Sequence, residues 1–441
     1  MTTADSSLAG RARLLDVALL VLAKASAMAW VLRCGFVQVS DDDHSRVVIA
    51  EQFAHTPKLD PSGTSWLPFP FWIHGATMAM FGRSLTVAHA TAFVIGAAVA
   101  ALPYLVARRV GVERVPALIG AALFALTPWS VWLGVAPVPE AFVGALLAAG
   151  LLALRGSPAL AVGGAVAILL ATLSRYDAWA AAAFAALALS VRAVRERPRR
   201  GALIAAALLA ALGPLAWMAW NHHAHGSATH FVDRVAMYRR SIGAASAPLA
   251  DKLTGFPRAV WSGAPELVVL FVFGSAFVAR RTNLVRRWSI PVAAAALTLA
   301  FLVYGDVRDG APTHHSERAI VSLLGPLAGV AGEGVFLAWR AMGGARRALR
   351  VALPAVAFVS WCYFAAGRWS YVPGRDPSER RDAQIAKGAE LRARGVERVV
   401  VEPCQYEHFA LIAAFGAPEK VTTLPASRRP VDATCPVVRE E

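Results

Sequence analysis

Charged residues are scarce in this sequence. Of its 441 residues, only 17% are charged and 57% are hydrophobic, whereas a soluble globular protein carries charges on roughly a quarter of its residues. The apolar residues fall into blocks of about 16–25, close to the length that a helix needs to cross a bilayer. The shortage of charge therefore excludes a soluble globular domain and predicts an all-α, multi-pass integral membrane protein.

Acidic residues are scarcer than basic ones: the sequence has 29 acids and 44 bases, which gives a net charge of +15. Such a balance can indicate nucleic-acid binding, but here the basic excess lies in short clusters between apolar blocks. That distribution is the positive-inside pattern of membrane proteins, so no nucleic-acid partner is expected. The clusters are Arg108, Arg109 and Arg114; Arg192, Arg195, Arg197, Arg199 and Arg200; Arg280, Arg281, Arg286 and Arg287; and Arg340, Arg346, Arg347 and Arg350.

Two further features are absent. The first apolar block, Leu14 to Val37, is too long for a cleavable signal peptide and lacks a small-residue cleavage site, so none is predicted. No internal repeat of fixed period is visible. Since secondary transporters usually have repeated halves, this second absence disfavours a transporter.

We predict about eleven transmembrane helices. With Arg11 and Arg13 in the cytoplasm, all four arginine clusters fall on the cytoplasmic side and the C-terminus lies outside. We expect a transmembrane domain over 1–367, with a first outward loop at 39–83, and an extracytoplasmic tail over 368–441. The predicted spans are 14–38, 84–107, 115–135, 138–154, 158–174, 177–191, 202–220, 264–279, 289–304, 319–339 and 351–367.

The two outermost segments have patterns of their own. In the first outward loop, the aromatic and proline-containing stretch Ser65 to Gly82 predicts a helix that lies in the membrane interface. In the tail, a polar helical run, two strand-like runs and a short apolar helix predict a small α/β appendage. Cys404 and Cys435 both lie in the tail, where an oxidising compartment would permit a disulfide. The sequence leaves their pairing open.

The sharpest chemical feature is Asp41-Asp42-Asp43-His44, directly after the first span. Acids at a membrane surface can be ordinary solvated loop residues. Three consecutive acids beside lipid headgroups, which are themselves often anionic, are less easily explained in that way. The cluster suits a general base or a cation site.

Three other polar groups lie at predicted outward helix ends. Glu140 follows two prolines in a short turn, where it is either a helix-start residue favoured by the dipole or a site residue. Arg175 and Asp177 are either an interfacial pair or part of a site. A histidine and arginine segment that leads into the tenth span suits an anionic phosphate, which arginine binds through bidentate hydrogen bonds. Its candidate residues are His314, His315 and Arg318.

All four groups fall on the same predicted side of the membrane. A site formed there would be open both to an extracytoplasmic acceptor and to a donor carried by a lipid. The sidedness of the groups, more than any one of them, indicates a functional site.

In order and sidedness, these motifs resemble the GT-C superfamily of membrane glycosyltransferases, which includes protein O-mannosyltransferases, aminoarabinose transferases and their bacterial relatives. Members carry an acidic pair after the first span, an amphipathic helix, a Pro-aromatic interfacial helix that ends in Phe-Gly, and a span with a basic end. The matching segments are Asp42-Asp43, Val47 to Phe53, Pro68 to Gly82, and Ser84 to Arg109. The resemblance covers roughly residues 10–340.

The family pattern places some residues individually. Aligning Ile49-Ala50 with the family's Ile-Ala puts Asp42 on the usual catalytic aspartate, whereas Asp43 stands where glutamate is commoner. Glu140 resembles the acid of the second outward loop. The segment Ser174 to Trp179 is similar to a Thr-Arg-Tyr/Pro-Glu-Gly-Trp segment of bacterial members, with Asp177 in place of the glutamate.

The resemblance implies transfer of a sugar, with inversion, from a polyprenyl-phosphate-linked donor to an acceptor hydroxyl on a glycan, lipid or protein, at a bacterial inner membrane. A hexose such as mannose is expected. Asp42 would be the base, with Asp43 and Glu140 as supporting acids. The candidates for contact with the donor's phosphate or sugar are Arg175, Asp177, His314, His315 and Arg318. A divalent metal occurs in some members only, so the need for a cofactor stays open.

Two alternatives are kept. In a secondary transporter, ionisable residues would line a path near the midplane, and Lys24 is the clearest charge deep in a predicted span. A lipid-linked saccharide ligase or polymerase would share the donor chemistry but would not need Asp42.

Overall fold

The computed structural model describes residues 3–241, 247–308, 315–342, 361, 363, 367–371, 380–425 and 435–440. Helices dominate these residues. They are α1 (Thr3–Arg33), α2 (Asp41–His55), α3 (Phe69–Phe81), α4 (Leu85–Ala98), α5 (Leu102–Arg109), α6 (Arg114–Ala125), α7 (Pro128–Val135), α8 (Glu140–Ala153), α9 (Pro158–Thr172), α10 (Ala178–Arg195), α11 (Arg200–His225), α12 (His230–Ser241), α13 (Leu249–Gly263), α14 (Pro265–Val278), α15 (Thr282–Val307), α16 (Ser316–Ala319), α17 (Val321–Ala341), α18 (Asp382–Ala393) and α19 (His408–Phe415).

Every predicted span between residues 14 and 339 coincides with one or two of these helices. Among the described residues, six helices are long and apolar enough to cross a membrane, or up to eight if each of two bent pairs is one span. The chain is therefore a multi-pass helical membrane protein. The count of eleven stays a prediction, and the last predicted span, 351–367, lies almost entirely outside the described residues.

One predicted span differs from the structure. The span expected at 115–135 is two helices, α6 and α7, that meet at 62°. The span expected at 264–279 coincides with α14, and that helix meets the amphipathic helix α13 at 92°. At the first of these bends, the ammonium group of Lys24 donates to Ala125 O at 2.8 Å, Ser130 O at 2.5 Å and Ser130 Oγ at 2.9 Å. The buried lysine therefore binds both sides of the break: Ala125 O in the last turn of α6, where carbonyl groups lack helical partners, and Ser130 in the first turn of α7.

Small residues pack the helix bundle. In its largest apolar cluster, which joins α8 to α11 with α15, more than half of the buried side chains are alanine. Gly334 of α17 lies against Gly274 of α14 so closely that a Cβ at Gly334 would be 2.1 Å from Gly274 Cα. Such close helix contacts are typical of membrane proteins, where small residues let backbones approach.

The predicted cytoplasmic basic loops meet at one end of the bundle. Arg287 donates to Gly111 O at 3.0 Å, Arg340 to Glu113 at 2.9 Å, and Arg155 to Ser289 Oγ at 2.6 Å. These contacts agree with the shared side that the charge pattern predicts. The acidic segment at α2 lies at the opposite end of α1 from Asp16, which pairs with Arg114.

The described tail is a small α/β unit, as predicted. Strands β1 (Val399–Glu402), β2 (Val421–Thr423) and β3 (Val437–Glu440) form a sheet in the order β2-β1-β3. β1 pairs in parallel with β2 and antiparallel with β3. The pairing that the sequence left open is present, since Cys404 and Cys435 form a disulfide.

The tail packs on the first outward loop. Val47, Val48 and Ala50 of α2 and Met78 of α3 share one buried apolar cluster with tail side chains. Those tail side chains are Leu391, Val399, Val401, Leu411, Ile412, Ala413 and Phe415. We call α2, α3, residues 380–425 and residues 435–440 the loop–tail unit. The predicted domain boundary at 367 stays a prediction, but the tail is not an isolated appendage.

Candidate active site

The three consecutive aspartates occupy the first turn of α2, where the helix dipole favours negative charge, and each has a different partner. Asp41 accepts two hydrogen bonds from Arg381 of the tail, at 2.8 and 2.9 Å. Asp42 pairs with Arg318 of α16 at 3.3 Å. Asp43 is buried and accepts from Val39 N at 2.8 Å. A run that looks uniform in sequence is therefore divided among three environments.

Glu140 lies at the centre of the site. It begins α8 directly after Pro139, and its Oε1 accepts from Arg318 Nη2 at 2.7 Å and Nε at 3.0 Å. Arg175, in the turn between α9 and α10, donates to the same oxygen and to Asp177 at 2.9 Å. The structure thus brings together five predicted site residues from four separate segments: Asp42, Glu140, Arg175, Asp177 and Arg318.

Arg175 and Arg318 are both paired with carboxylates. Burial alone would lower the pKa of Arg318, but Glu140 and Asp42 raise it above its usual value. The pKa of Arg175 is likewise raised, because Asp177 and Glu140 outweigh burial. Both guanidinium groups are therefore permanently charged, and both are held in fixed positions.

Asp42 differs from its neighbours in exposure. Its side chain is 29% exposed, whereas those of Glu140 and Arg318 are 1% and 2% exposed. Its pair with Arg318 and the hydrogen bond from Arg318 to Ser40 Oγ at 3.2 Å hold the carboxylate at the surface of the buried network. Of the two acids that pair with Arg318, Asp42 is the one that a molecule from solution can reach.

Asp43 and His44 support the turn before α2. Burial raises the pKa of Asp43 to about 6, and its Oδ1 has no hydrogen-bond partner. His44 contacts the side chain of Gln38, and burial lowers the pKa of this histidine to about 4, so it is neutral at physiological pH. These side chains close the segment between α1 and α2.

Of the two predicted site histidines, His315 is among the described residues and lies near Asp42. His315 lies 3.9 Å from Asp42 and 3.3 Å from Glu317. His314 lies outside the described residues. The adjacent segment of α16 nevertheless reaches the site through Arg318.

Arg46 lies close enough to interact electrostatically with Glu140 and Arg318, although no motif in the sequence identifies it. Its guanidinium carbon is 4.5 Å from the ring centroid of Trp66, a distance typical of a cation–π contact. Its Nε is buried without a hydrogen-bond partner. Burial lowers its pKa to about 10, so the group is still charged at pH 7. The signal was available, because Arg46 follows Asp42 by four residues and therefore lies on the same face of a helix.

Arg381 and Tyr238 were also not assigned. Tyr238 of α12 hydrogen-bonds Tyr406 of the tail, and burial raises the pKa of Tyr238 to about 12, with Asp42 and Asp41 contributing. Nothing in the local sequence links α12 or the tail to the acidic segment. These contacts depend on tertiary packing alone.

Sets of three possible ligands for a divalent metal are few among the described side chains. The one set of three possible ligands close enough to share an ion is Cys404, Glu407 and Cys435 among the described positions. Its two sulfurs are joined in the disulfide, and the metal ligand is a free thiolate. In the acidic network, Glu140 and Asp42 pair with arginine instead.

Among solved structures, the chain is similar to the archaeal oligosaccharyltransferase AglB from Archaeoglobus fulgidus, which was solved in complex with an inhibitory peptide and a dolichol-phosphate. The TM-score is 0.49 and the identity 15%, over 85% of this chain and 58% of that chain. The chain therefore spans less than two thirds of the length of AglB. No protein-family model and no curated protein matches the chain. The predicted subtype stays a prediction.

Proposed function

We propose that this protein is a membrane glycosyltransferase. It transfers a sugar, a hexose such as mannose, from a polyprenyl-phosphate-linked donor to an acceptor hydroxyl, with inversion at the anomeric carbon. The proposed location is a bacterial inner membrane, with the site and the tail outside the cytoplasm. The acceptor belongs to a glycan, a lipid or a protein.

The observation that carries the proposal is the contrast between Asp42 and the network behind it. A solvent-accessible carboxylate is held at one point by a buried arginine, and that arginine is itself fixed by Glu140. A general base needs both access to the substrate and a fixed position. Asp42 has both properties, while Glu140 is enclosed and serves to orient Arg318.

Arg46 supplies a positive charge that stabilises the leaving group. Departure of a polyprenyl phosphate increases negative charge on the phosphate oxygens, and fixed cations stabilise that charge most effectively where water is excluded. Arg318 and Arg175 already bind carboxylates, whereas the buried Nε of Arg46 has no hydrogen-bond partner. We therefore assign Arg46 to the phosphate, with Arg318 as the second nearby cation.

The step proceeds as follows. The acceptor oxygen forms a bond to the anomeric carbon while the bond between that carbon and the phosphate oxygen breaks. Asp42 takes the proton of the acceptor hydroxyl. The polyprenyl phosphate departs with the bonding electron pair, and Arg46 and Arg318 stabilise its charge. Attack from the face opposite the leaving group inverts the anomeric configuration.

The test is sugar transfer by the purified protein in lipid vesicles. Polyprenyl-phosphate mannose and polyprenyl-phosphate glucose, radiolabelled in the sugar, are supplied with an envelope fraction as the source of acceptor. Asp42→Asn is expected to lower transfer by about 10²–10⁴-fold, the usual contribution of a general base. Asp251→Asn, at an exposed acid paired with Arg258, is the matched control. Equal transfer by Asp42→Asn and wild type would contradict the mechanism.

The alternatives predict other outcomes. A transporter would move a solute into vesicles that contain no lipid-linked sugar. Lys24 does not support that activity, because its ammonium is buried and bound by Ala125 and Ser130. A lipid-linked saccharide ligase or polymerase would use the same donor class but would tolerate Asp42→Asn.

A further inference from the structure

The tail reaches the acidic segment through one ion pair. Arg381, directly before α18, donates through Nε and Nη2 to the two carboxylate oxygens of Asp41. The side chains of Arg381 and Asp41 are 13% and 24% exposed, so the pair is partly shielded from water. Bidentate pairs of this kind fix orientation as well as charge. The residue next to Asp41 is the proposed base.

The rest of the tail gives Arg381 a rigid support. Arg381 lies at the start of α18, and Gln384 of that helix donates to Cys435 O at 2.9 Å. Cys435 is joined to Cys404 by the disulfide. Glu407 accepts from Cys404 N at 2.7 Å and thereby fixes the turn before α19. α18 packs on α19, and the apolar side chains of α19 in turn pack on α2 itself.

We propose that Arg381 is a positioning residue of the transfer reaction, acting on the base Asp42 through Asp41. This inference rests on the proposed function. Arg381 fixes the first turn of α2 against the tail and neutralises the carboxylate of Asp41, the residue that precedes the base in the sequence. The tail is therefore a working part of the active site, although the family resemblance stops before it.

The charges around Asp42 explain why Arg381 matters. Asp42 faces Arg318 and His315 from the segment before α17, and Tyr238 from α12. On its own helix it has Asp41 and Asp43 as neighbours and Arg46 one turn later. Without Arg381, the Asp41 carboxylate would be uncompensated. A neighbouring like charge disfavours ionisation of a carboxyl group, so Asp42 would then hold its proton to higher pH.

The experiment compares kcat for sugar transfer across pH in the wild type and Arg381→Gln. The acid limb of kcat reports the base in the enzyme–substrate complex. We expect Arg381→Gln to move this limb up by about one pH unit, the effect of one close charge, and so to lower kcat by up to about tenfold at pH values below the wild-type limb, with little change in donor KM. Arg381→Lys should recover part of the loss, because a point charge replaces a bidentate fork.

Two further variants separate positioning from simple attachment of the tail. Arg83→Gln breaks a second bidentate pair between the first outward loop and the tail, with Glu419 at 2.7 and 3.0 Å. It is expected to leave the acid limb unchanged. The double variant Asp41→Asn with Arg381→Gln removes both charges and should return the limb to within about 0.3 pH unit of the wild type, as coupled sites require.

The inference is overturned if Arg83→Gln and Arg381→Gln lower kcat equally with no shift of the acid limb, since tail attachment alone would then explain both. It is also overturned if Arg381→Gln acts only on acceptor KM and the double variant does not recover. Failure of the proposed function would look different, because Asp42→Asn would then transfer sugar as well as the wild type.

Discussion

The helix bundle and the loop–tail unit are held together in different ways. In the bundle, alanine and glycine predominate where helices meet, and backbones approach as closely as at Gly274 and Gly334. In the loop–tail unit, larger apolar side chains such as Leu391, Leu411 and Phe415 form the core. That unit also has a disulfide and charged pairs at its edges, including Arg83–Glu419.

The difference follows from the solvent. Lipid tails are as apolar as leucine, so helices in a bilayer gain little from burying large apolar side chains and associate through close packing instead. In water, burial of apolar surface stabilises by about 25 cal/mol per Å², and small units often add disulfides. The candidate active site lies where the two regions meet. Asp42 and Arg46 come from the loop–tail unit, while Glu140, Arg175 and Arg318 come from the ends of the bundle helices.

The largest effect is expected from a side chain at the closest helix contact. Gly334→Leu would place a Cβ 2.1 Å from Gly274 Cα, and backbone cannot yield as a flexible side chain can. We expect loss of monodisperse protein in size-exclusion chromatography after detergent extraction. Gly163→Leu is the control, because that exposed glycine has nothing within 4 Å of its Cβ position. Normal behaviour of Gly334→Leu would contradict small-residue packing as the basis of the bundle.

The next largest effect is expected where the helix bundle and the loop–tail unit meet. Arg318→Met leaves Glu140 with a single arginine partner and Asp42 without its buried one. Breaking a buried ion pair costs about 3–5 kcal/mol, and loss of one stabilising donor typically lowers kcat by about 10²–10³. Sugar transfer and thermal unfolding in detergent measure the two effects. Arg340→Met, at the exposed pair with Glu113, should change neither.

The disulfide should stabilise one region only. Cys404 and Cys435 close a loop with a sequence separation of 31 residues, for which the chain-entropy estimate is about 3–4 kcal/mol. The double serine variant should exchange amide hydrogens faster at 380–425, with no change in α8 to α11. Cys34→Ser, at a free cysteine, is the control. Equal loss of protection in both regions would mean that the bundle and the loop–tail unit unfold together.

Much of this division could be predicted from the sequence. Block length and arginine distribution identify the helices and the end at which basic loops meet, because both follow from local composition. The sidedness of Glu140, Arg175 and Arg318 predicts that they share one end, and the structure brings them into contact. Such predictions work where the membrane constrains each helix separately.

Other features depend on contacts between distant segments. The separate fates of Asp41, Asp42 and Asp43 are set by Arg381, Arg318 and the turn before α2. The pairing of Cys404 with Cys435 depends on how the strands of the tail sheet pair, and strands of three or four residues are too short to indicate their partners from sequence alone. The bend between α6 and α7 is stabilised by Lys24, which belongs to another helix. Because a hydropathy profile contains no information on such a contact, it predicts one continuous span for the two helices.

The smallest effect tests how well Asp43, at the contact between the two regions, is shielded from water. Asp43 is 1% exposed, and burial raises its pKa from 3.8 to about 6. Between pH 4 and pH 6, the unfolded chain has lost this proton while the folded protein still holds it. The free energy of unfolding therefore falls as pH rises through this window, by about 2–3 kcal/mol at about 1.4 kcal/mol per pKa unit.

Asp43→Asn removes this titration, so the melting temperature of the wild type relative to Asp43→Asn should decrease as pH rises from 4 to 6.5. The lowered pKa of His44 acts in the opposite direction, since stability is then lost as pH falls below about 6.5. That contribution is present in both proteins and cancels in their difference. A difference that does not vary with pH would mean that water reaches the Asp43 carboxyl. The seam between the two regions would then be open behind Asp42, which the enclosed network of Glu140 and Arg318 argues against.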